Sequence, residues 1–175
     1  IKSGTQAAAA GGYTTVCLMP NTQPVNDSGF VTQYIMEKIR QNAIVNVHPV
    51  GAVSQNLEGK AMAGIDGMIK AGCVALGDGD RTIMNAYLVR KTMEYLKAYN
   101  VPLVEHCEDA NLVGLGVMNE GFISSQIGLR GIPNAAEDVI VSRDISLSAH
   151  TKARLHLAQL SSKGSIESVA HGKAR

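Results

Sequence analysis

The sequence predicts an α/β protein with a parallel sheet of the TIM-barrel type, present as an incomplete barrel of about five βα units. Apolar runs of strand length alternate along the 175 residues with longer segments of helical periodicity. The strand-like runs are apolar throughout, which is typical of parallel strands covered on both faces. An open doubly wound sheet fits the same alternation. A complete barrel takes roughly 250 residues, so five units cannot close one.

The predicted elements follow one another in chain order. An alanine-rich helix ends at Gly11, where glycine favours termination. Strands are predicted at residues 13–19, 45–53, 73–76, 101–104 and 155–160. Helices are predicted at residues 30–41, 57–70, 85–99 and 135–148, and a last helix begins at residue 166. Asp27 and Ser28 precede the helix at 30–41 as a candidate N-cap.

Polar side chains occur at the carboxyl ends of the predicted strands, where a barrel builds its active site. They are Asn21, Ser54, Asp78, His106 with Glu108 and Asp109, and Gln159. The first strand leads into Met19-Pro20-Asn21-Thr22 and not into a glycine-rich phosphate loop. This argues against nucleotide binding and favours the barrel over the doubly wound sheet.

Composition describes a globular chain, with 45% apolar and 18% charged residues and a net charge of +1. The mixed charges give no reason to expect binding to nucleic acid or a membrane surface. Three distant cysteines suit a reducing cytoplasm, and we expect Cys17 and Cys73 to be buried in their apolar runs. We expect residues 1–175 to form one partial barrel domain, cut from a longer protein because helical patterns reach both ends.

The strongest candidate for chemistry is His106-Cys107-Glu108-Asp109. A histidine that ends a buried strand can present its imidazole as a metal ligand or proton donor, and neighbouring acids can orient it. The alternative is a hydrogen-bonded structural histidine with solvated acids. Asp78 and Asp80 flank Gly79 after the preceding strand. Two acids on such a turn suit a divalent cation, although Asp and Gly are also common in ordinary turns.

Three further positions carry weaker expectations. The side-chain amide of Asn21 can donate to and accept from a small polar ligand at the barrel mouth. Strand alternation predicts that His156 points away from Gln159. The serine-rich segment at 161–165 either offers backbone N–H groups to an anion or simply caps the last helix.

Several blocks of the sequence resemble bacterial class I dihydroorotases, in the same order and with similar spacing. They are Gly4 to Val16 leading into Met19-Pro20-Asn21-Thr22-Gln23-Pro24-Val25, His106-Cys107-Glu108-Asp109, Gly116 to Gly121, and Gly128 to Pro133 with Ala136-Glu137. The resemblance covers essentially the whole chain. Hydantoinases and allantoinases share the barrel, but the Met-Pro-Asn-Thr block is more similar to dihydroorotase.

The resemblance implies a zinc-dependent, reversible hydrolysis of dihydroorotate to carbamoyl aspartate in pyrimidine biosynthesis. By position, His106 matches the metal-binding histidine of the family's fifth strand, and Asn21 matches the asparagine that contacts the substrate carboxylate. The acidic position that bridges the metals falls on Gly79, so the resemblance leaves Asp78 or Asp80 to supply that carboxylate. We assign Asp78 and His106 as the candidate metal ligands.

Other parts of the family's metal site are missing from the chain. A histidine of the sixth strand is replaced by Gln159, which is a poor zinc ligand. The family's His-x-His pair and last-strand aspartate would lie before Ile1 and after Arg175. Two functions therefore stay open: a working dihydroorotase, or an inactive homologue that serves as a scaffold or partner subunit of aspartate transcarbamoylase. A barrel that lacks strands leaves apolar sheet edges open, so we expect a homo-oligomer or a chain that is ordered only within a larger protein.

Overall fold

The computed structural model describes residues 1–174 and contains a five-stranded parallel sheet curled into part of a barrel. The sheet contains β1 (Thr15–Leu18), β2 (Asn46–Gly51), β3 (Ala75–Leu76), β4 (Leu103–His106) and β7 (Leu155–Ala158), paired in that order. A separate parallel pair consists of β5 (Met118–Asn119) and β6 (Gly131–Ile132). The prediction of a parallel α/β barrel fragment is confirmed. The predicted domain boundary at Arg175 lies outside the described residues.

Helices connect the strands. They are α1 (Lys2–Ala10), α2 (Gly29–Asn42), α3 (Ile65–Ala71), α4 (Ala86–Lys97), α5 (Ala110–Val113), α6 (Phe122–Ile127), α7 (Ala135–Thr151) and α8 (Lys163–Lys173), with a 3₁₀ turn at Gln55–Leu57. Ser28 caps α2 as predicted, because its hydroxyl accepts a hydrogen bond from the Val31 amide. No helix within residues 1–174 is long and apolar enough to cross a membrane.

The main core lies between the convex face of the sheet and the helices that follow its strands. Leu76 and Leu103 project from adjacent strands onto Met68 of α3 and onto Met93 and Leu96 of α4; all five side chains are fully buried. Burial of side chains of this size contributes roughly 1.5–3 kcal/mol each. A smaller cluster places Cys107 against Ile140 and Val141 of α7. The concave face of the sheet has no such layer of helices among the described residues.

The helix predicted over residues 57–70 is wrong in its first half, and α3 covers only the second half. Asn56 and Leu57 have φ values of 53° and 58°, which the right-handed helix excludes. The chain turns back on itself here, since the Ala63 amide donates to the Val53 carbonyl over 2.8 Å. This loop closes over the end of β2.

Gly67 of α3 packs directly against Gly29 of α2. A Cβ atom added to Gly29 of α2 would lie 2.7 Å from the Gly67 carbonyl oxygen of α3. The two helices therefore approach each other more closely than larger residues would allow. Between residues 107 and 134, α5, β5, α6 and β6 were not predicted, because each is too short to show a periodic pattern.

Two buried threonines provide a test of how hydroxyl groups contribute to this core. Thr92 Oγ1 in α4 has no hydrogen-bond partner within the described chain, whereas Thr32 Oγ1 donates to Asn26 Oδ1 over 2.7 Å. Thr92→Val should raise the free energy of unfolding by about 1 kcal/mol, because an unsatisfied buried hydroxyl is removed. Thr32→Val should lower it by about 1–3 kcal/mol, since it leaves the Asn26 amide oxygen unpaired. Urea denaturation of both variants measures the difference, and equal effects would contradict this assignment.

Candidate functional site

The carboxyl ends of the five parallel strands meet at one rim, and the concave face below it forms an open cavity of about 600 Å³. Its lining includes Cys17, Met19, Asn21, Val50, Val74, Gly79, Asp80, Val104, His156 and Gln159. The lining is mainly apolar, with amide and carboxylate side chains at the rim. Mostly apolar walls with a few polar groups are typical of sites that bind small organic molecules.

His106 lies beside this cavity in a smaller cleft of about 180 Å³, which it shares with Gln159. The imidazole is the last side chain of β4 and is 22% exposed. Its Nε2 atom lies 3.6 Å from Glu108 Oε2, while its Nδ1 atom is buried and has no hydrogen-bond partner among residues 1–174. The structure thus places His106, Glu108 and Gln159 in one cleft, and Asn21 and Gln159 in the adjoining cavity.

Glu137 closes one side of the His106 cleft and was not predicted as a site residue. Its carboxylate accepts hydrogen bonds from the Ser161 and Ser162 amides and the Ser161 hydroxyl, over 2.7–3.1 Å. Although burial opposes ionisation, these hydrogen bonds hold the pKa of Glu137 below its ordinary value. Ser162 caps α8 at the same turn. The segment at 161–165 is therefore a capping turn whose amides already face a carboxylate, and Glu137 fixes the turn that follows Gln159.

Asp78, one of the two predicted metal ligands, binds the loop that follows β2. Its buried carboxylate accepts the Val53 amide over 2.8 Å, the Ser54 amide over 3.0 Å and the Ser54 hydroxyl. Burial raises the pKa of Asp78 despite these hydrogen bonds. Asp78 lines neither the His106 cleft nor the concave cavity, whereas Asp80 lines the latter. Its role as a metal ligand stays a prediction. The carboxylate already accepts hydrogen bonds from the loop after β2.

The donor set does not fit a complete zinc site. Within the described residues, no group of three or more His, Cys, Asp or Glu side chains could hold a metal ion. His106 offers imidazole nitrogens, and Gln159 beside it offers only an amide. At Gly79 there is no side chain, and the backbone φ of 75° lies in the left-handed region that favours glycine. Structural and catalytic zinc sites use three or four protein ligands.

Two expectations about the concave face are wrong. Cys17 is exposed on this face and not buried, because the helices of the fold cover only the opposite side of β1. His156 and Gln159 line the same cavity, although strand alternation predicted opposite directions. Gln159 has φ of 59°, so the backbone leaves the extended conformation just after β7 and the alternation ends there.

Comparisons with known proteins agree with the resemblance seen in the sequence. A family described as "Dihydro-orotase-like" matches residues 1–165. This chain belongs to that family. The dihydroorotase of Geotalea daltonii is 49% identical over 173 residues, and that of Solibacter usitatus is 48% identical over 174 residues. Each alignment covers 99% of this chain. The dihydroorotase-like chain spans about two fifths of the length of these curated relatives, 41% and 40% respectively.

Solved structures give the same fold. The L-hydantoinase (dihydropyrimidinase) from Arthrobacter aurescens matches with a TM-score of 0.75 at 18% identity, covering 99% of this chain and 40% of its own. A D-hydantoinase (dihydropyrimidinase) from Thermus sp. matches with a TM-score of 0.73 at 22% identity, covering 99% and 39%. At these identities the likeness shows the barrel architecture alone.

Behind His106, on the convex side of the sheet, the dihydroorotase-like chain buries a second group of charged residues. Glu105 and Asp144 are fully buried on either side of the Arg143 guanidinium, whose Nε donates to Asp144 Oδ1 over 2.7 Å. Glu105 Oε1 accepts the Ile83 amide over 2.8 Å. Burial, reinforced by the negative charge of Asp144, raises the pKa of Glu105 to about 8. One arginine thus faces two buried carboxyl groups, and burial raises the pKa of both.

This arrangement predicts a pH-dependent stability. Because the pKa of Glu105 in the folded chain, about 8, exceeds its ordinary 4.5, the folded state binds this proton more tightly than the unfolded state does. The resulting stabilisation is complete below pH 4.5 and is lost as pH rises toward 8. Glu105→Gln keeps an acceptor for the Ile83 amide but cannot ionise.

Denaturation of wild type and Glu105→Gln at intervals between pH 5 and 8 tests this directly. Wild type should lose stability relative to the variant with a slope approaching about 1.4 kcal/mol per pH unit. The difference between the two proteins isolates the ionisation of Glu105 together with its electrostatic coupling to Asp78 and Asp144. Parallel stability curves would show that Glu105 is already ionised in the folded protein at pH 5.

Proposed function

We propose that this chain forms the central part of a cyclic amidohydrolase of the dihydroorotase type, which interconverts dihydroorotate and carbamoyl aspartate. The observation that carries the proposal is family membership over residues 1–165 together with the position of His106 at the rim of the concave face. A cleft of about 180 Å³ is smaller than the roughly 300–1,000 Å³ of typical drug-binding sites, and so suits a small substrate.

The roles proposed for the chain's own residues follow from their chemistry. Asn21, at the rim of the cavity, donates its side-chain amide to the carboxylate of the substrate. His106 and Glu108 face each other over 3.6 Å, so a proton taken up on the imidazole has a carboxylate beside it. Glu137 keeps Gln159 at the cleft by fixing the following turn.

Zinc is the cofactor that the family resemblance implies, and it would supply hydroxide near neutral pH. His106 is the residue of this chain that we propose as a ligand. The other donors present do not complete a site, so no catalytic step is assigned to the metal. We further propose that the protein acts in the cytoplasm as a homo-oligomer, that residues 1–175 are one partial barrel domain, and that neither nucleic acid nor membrane is its partner.

Substitution of His106 tests the enzymatic proposal. In the protein that carries this chain, His106→Ala should lower kcat for dihydroorotate hydrolysis by roughly 10²-fold or more, because the imidazole serves as a ligand or proton carrier. His150→Ala, at an exposed position near the end of α7, is the matched control and should retain full activity. Hydrolysis is followed as loss of dihydroorotate absorbance. Absence of turnover by wild type would reject the proposal.

Zinc affinity tests the role of the cleft separately. Gln159→Ala removes only an amide and should leave zinc affinity unchanged, whereas Gln159→His adds an imidazole in the cleft that holds His106. The histidine variant should bind zinc at least roughly tenfold more tightly, because even changes to groups around a metal ligand alter metal affinity by about 10–100-fold. Competition with a chelator measures both. Equal affinities for the two variants would show that His106 and position 159 do not share a metal.

A second function is favoured by the incomplete donor set. If the protein that carries this chain is an inactive homologue, we propose that it is a scaffold or partner subunit of aspartate transcarbamoylase. Gly79, Gln159 and the engaged carboxylate of Asp78 support this alternative. Co-purification with aspartate transcarbamoylase activity, without dihydroorotate turnover, would favour it. Turnover without an associated transcarbamoylase would favour the enzyme.

A further inference from the structure

Thr82, in the loop between β3 and α4, binds the end of β4 through both functions of its hydroxyl group. Its Oγ1 atom donates to the His106 carbonyl over 2.6 Å and accepts the Glu108 amide over 2.7 Å. The two bonds are made to the first and last residues of the turn that bears the candidate chemistry. A hydroxyl is the small side-chain group that can donate and accept at one atom.

The middle of this turn is held from the opposite side. Cys107 is buried against Ile140 and Val141 of α7. With Thr82 on one side and α7 on the other, the backbone from His106 to Glu108 cannot rotate freely. The two side chains are thereby kept in the cleft with 3.6 Å between Nε2 and Oε2.

Thr82 is itself fixed by its neighbour in sequence. Ile83 is 1% exposed, its amide donates to Glu105 Oε1 over 2.8 Å, and its carbonyl accepts from Arg143 Nη1 over 2.9 Å. The loop therefore reaches β4 through a side chain at Thr82 and through its backbone at Ile83. Because Ile83 anchors this loop independently, the Thr82 hydroxyl is held in place without help from the turn that it binds.

We propose that Thr82 is a positioning residue, which sets the location of the His106 imidazole and the Glu108 carboxylate by bridging the backbone of their turn. Its relevance to catalysis rests on the function proposed above, but the bridge itself can be measured without turnover. Thr82→Val has nearly the same shape and removes both hydrogen bonds, whereas Thr82→Ser retains a hydroxyl. Thr92→Val, which removes a buried hydroxyl without a partner in the described chain, is the matched control.

The first measurement is amide hydrogen exchange and chemical shift in the protein that carries this chain. In Thr82→Val, the Glu108 amide should exchange at least about tenfold faster and the His106 ring resonances should shift, because the bridge is lost. Thr82→Ser and Thr92→Val should resemble wild type. The second measurement is turnover, where Thr82→Val should lower kcat by between tenfold and about 10²-fold with little change in KM, and serine should restore it.

The outcomes separate the positioning role from the proposed function. An unchanged Glu108 amide and unchanged His106 resonances in Thr82→Val would overturn the inference, whatever the activity. A lost bridge with unchanged kcat would also overturn it, since the turn would then hold its place without Thr82. If wild type shows no turnover, the proposed function fails, and the exchange rate and resonances alone test the positioning role of Thr82. Should Thr82→Val not fold, Thr82→Ala is measured in the same way.

Discussion

Parallel pairing of five strands in chain order is the constraint on which the rest of this structure depends. It requires a helix or long connection after each strand, and it brings all the carboxyl ends to one rim. The helices bury the convex face around Leu76, Leu103 and Met93, so the concave face is left for other groups. Both the apolar cavity and the cleft at His106 follow from this division of the sheet.

Hydrogen bonds between neighbouring connections hold the rim together. Asp78 binds the loop after β2, Thr82 binds the turn after β4, and Glu137 binds the turn after β7. The Asp109 amide donates to the Ala136 carbonyl over 2.8 Å and joins the turn after β4 to the start of α7. The three side chains each satisfy backbone groups of a neighbouring βα unit, which matters because an unpaired buried amide costs about 1–3 kcal/mol.

The sequence predicted the order of strands and helices because long apolar and periodic segments carry that information. The sequence was less informative where contacts between distant residues determine the bounds of an element or the role of a side chain. The strand predicted at 101–104 instead spans Leu103–His106, since the buried carboxyl group of Glu105 interrupts the apolar run but not the backbone. His106 and Asn21 could be identified as site candidates from motifs, whereas the role of Thr82 depends on two distances that only the fold creates.

For the polar residues at the strand ends, too, the sequence pattern identifies candidates and tertiary contacts determine their roles. A carboxylate after a parallel strand can bind a ligand or complete the rim, and both uses have the same sequence pattern. Asp78 completes the rim, with its oxygens on the loop after β2. His106 differs, because its buried Nδ1 atom lacks a partner within residues 1–174 while its ring lies in a cleft. A buried polar atom left unpaired costs free energy and is rare in folded proteins. Other buried atoms also lack a partner, among them Glu105 Oε2, but His106 combines such an atom with a ring that lies in the cleft, and this supports placing the proposed chemistry there.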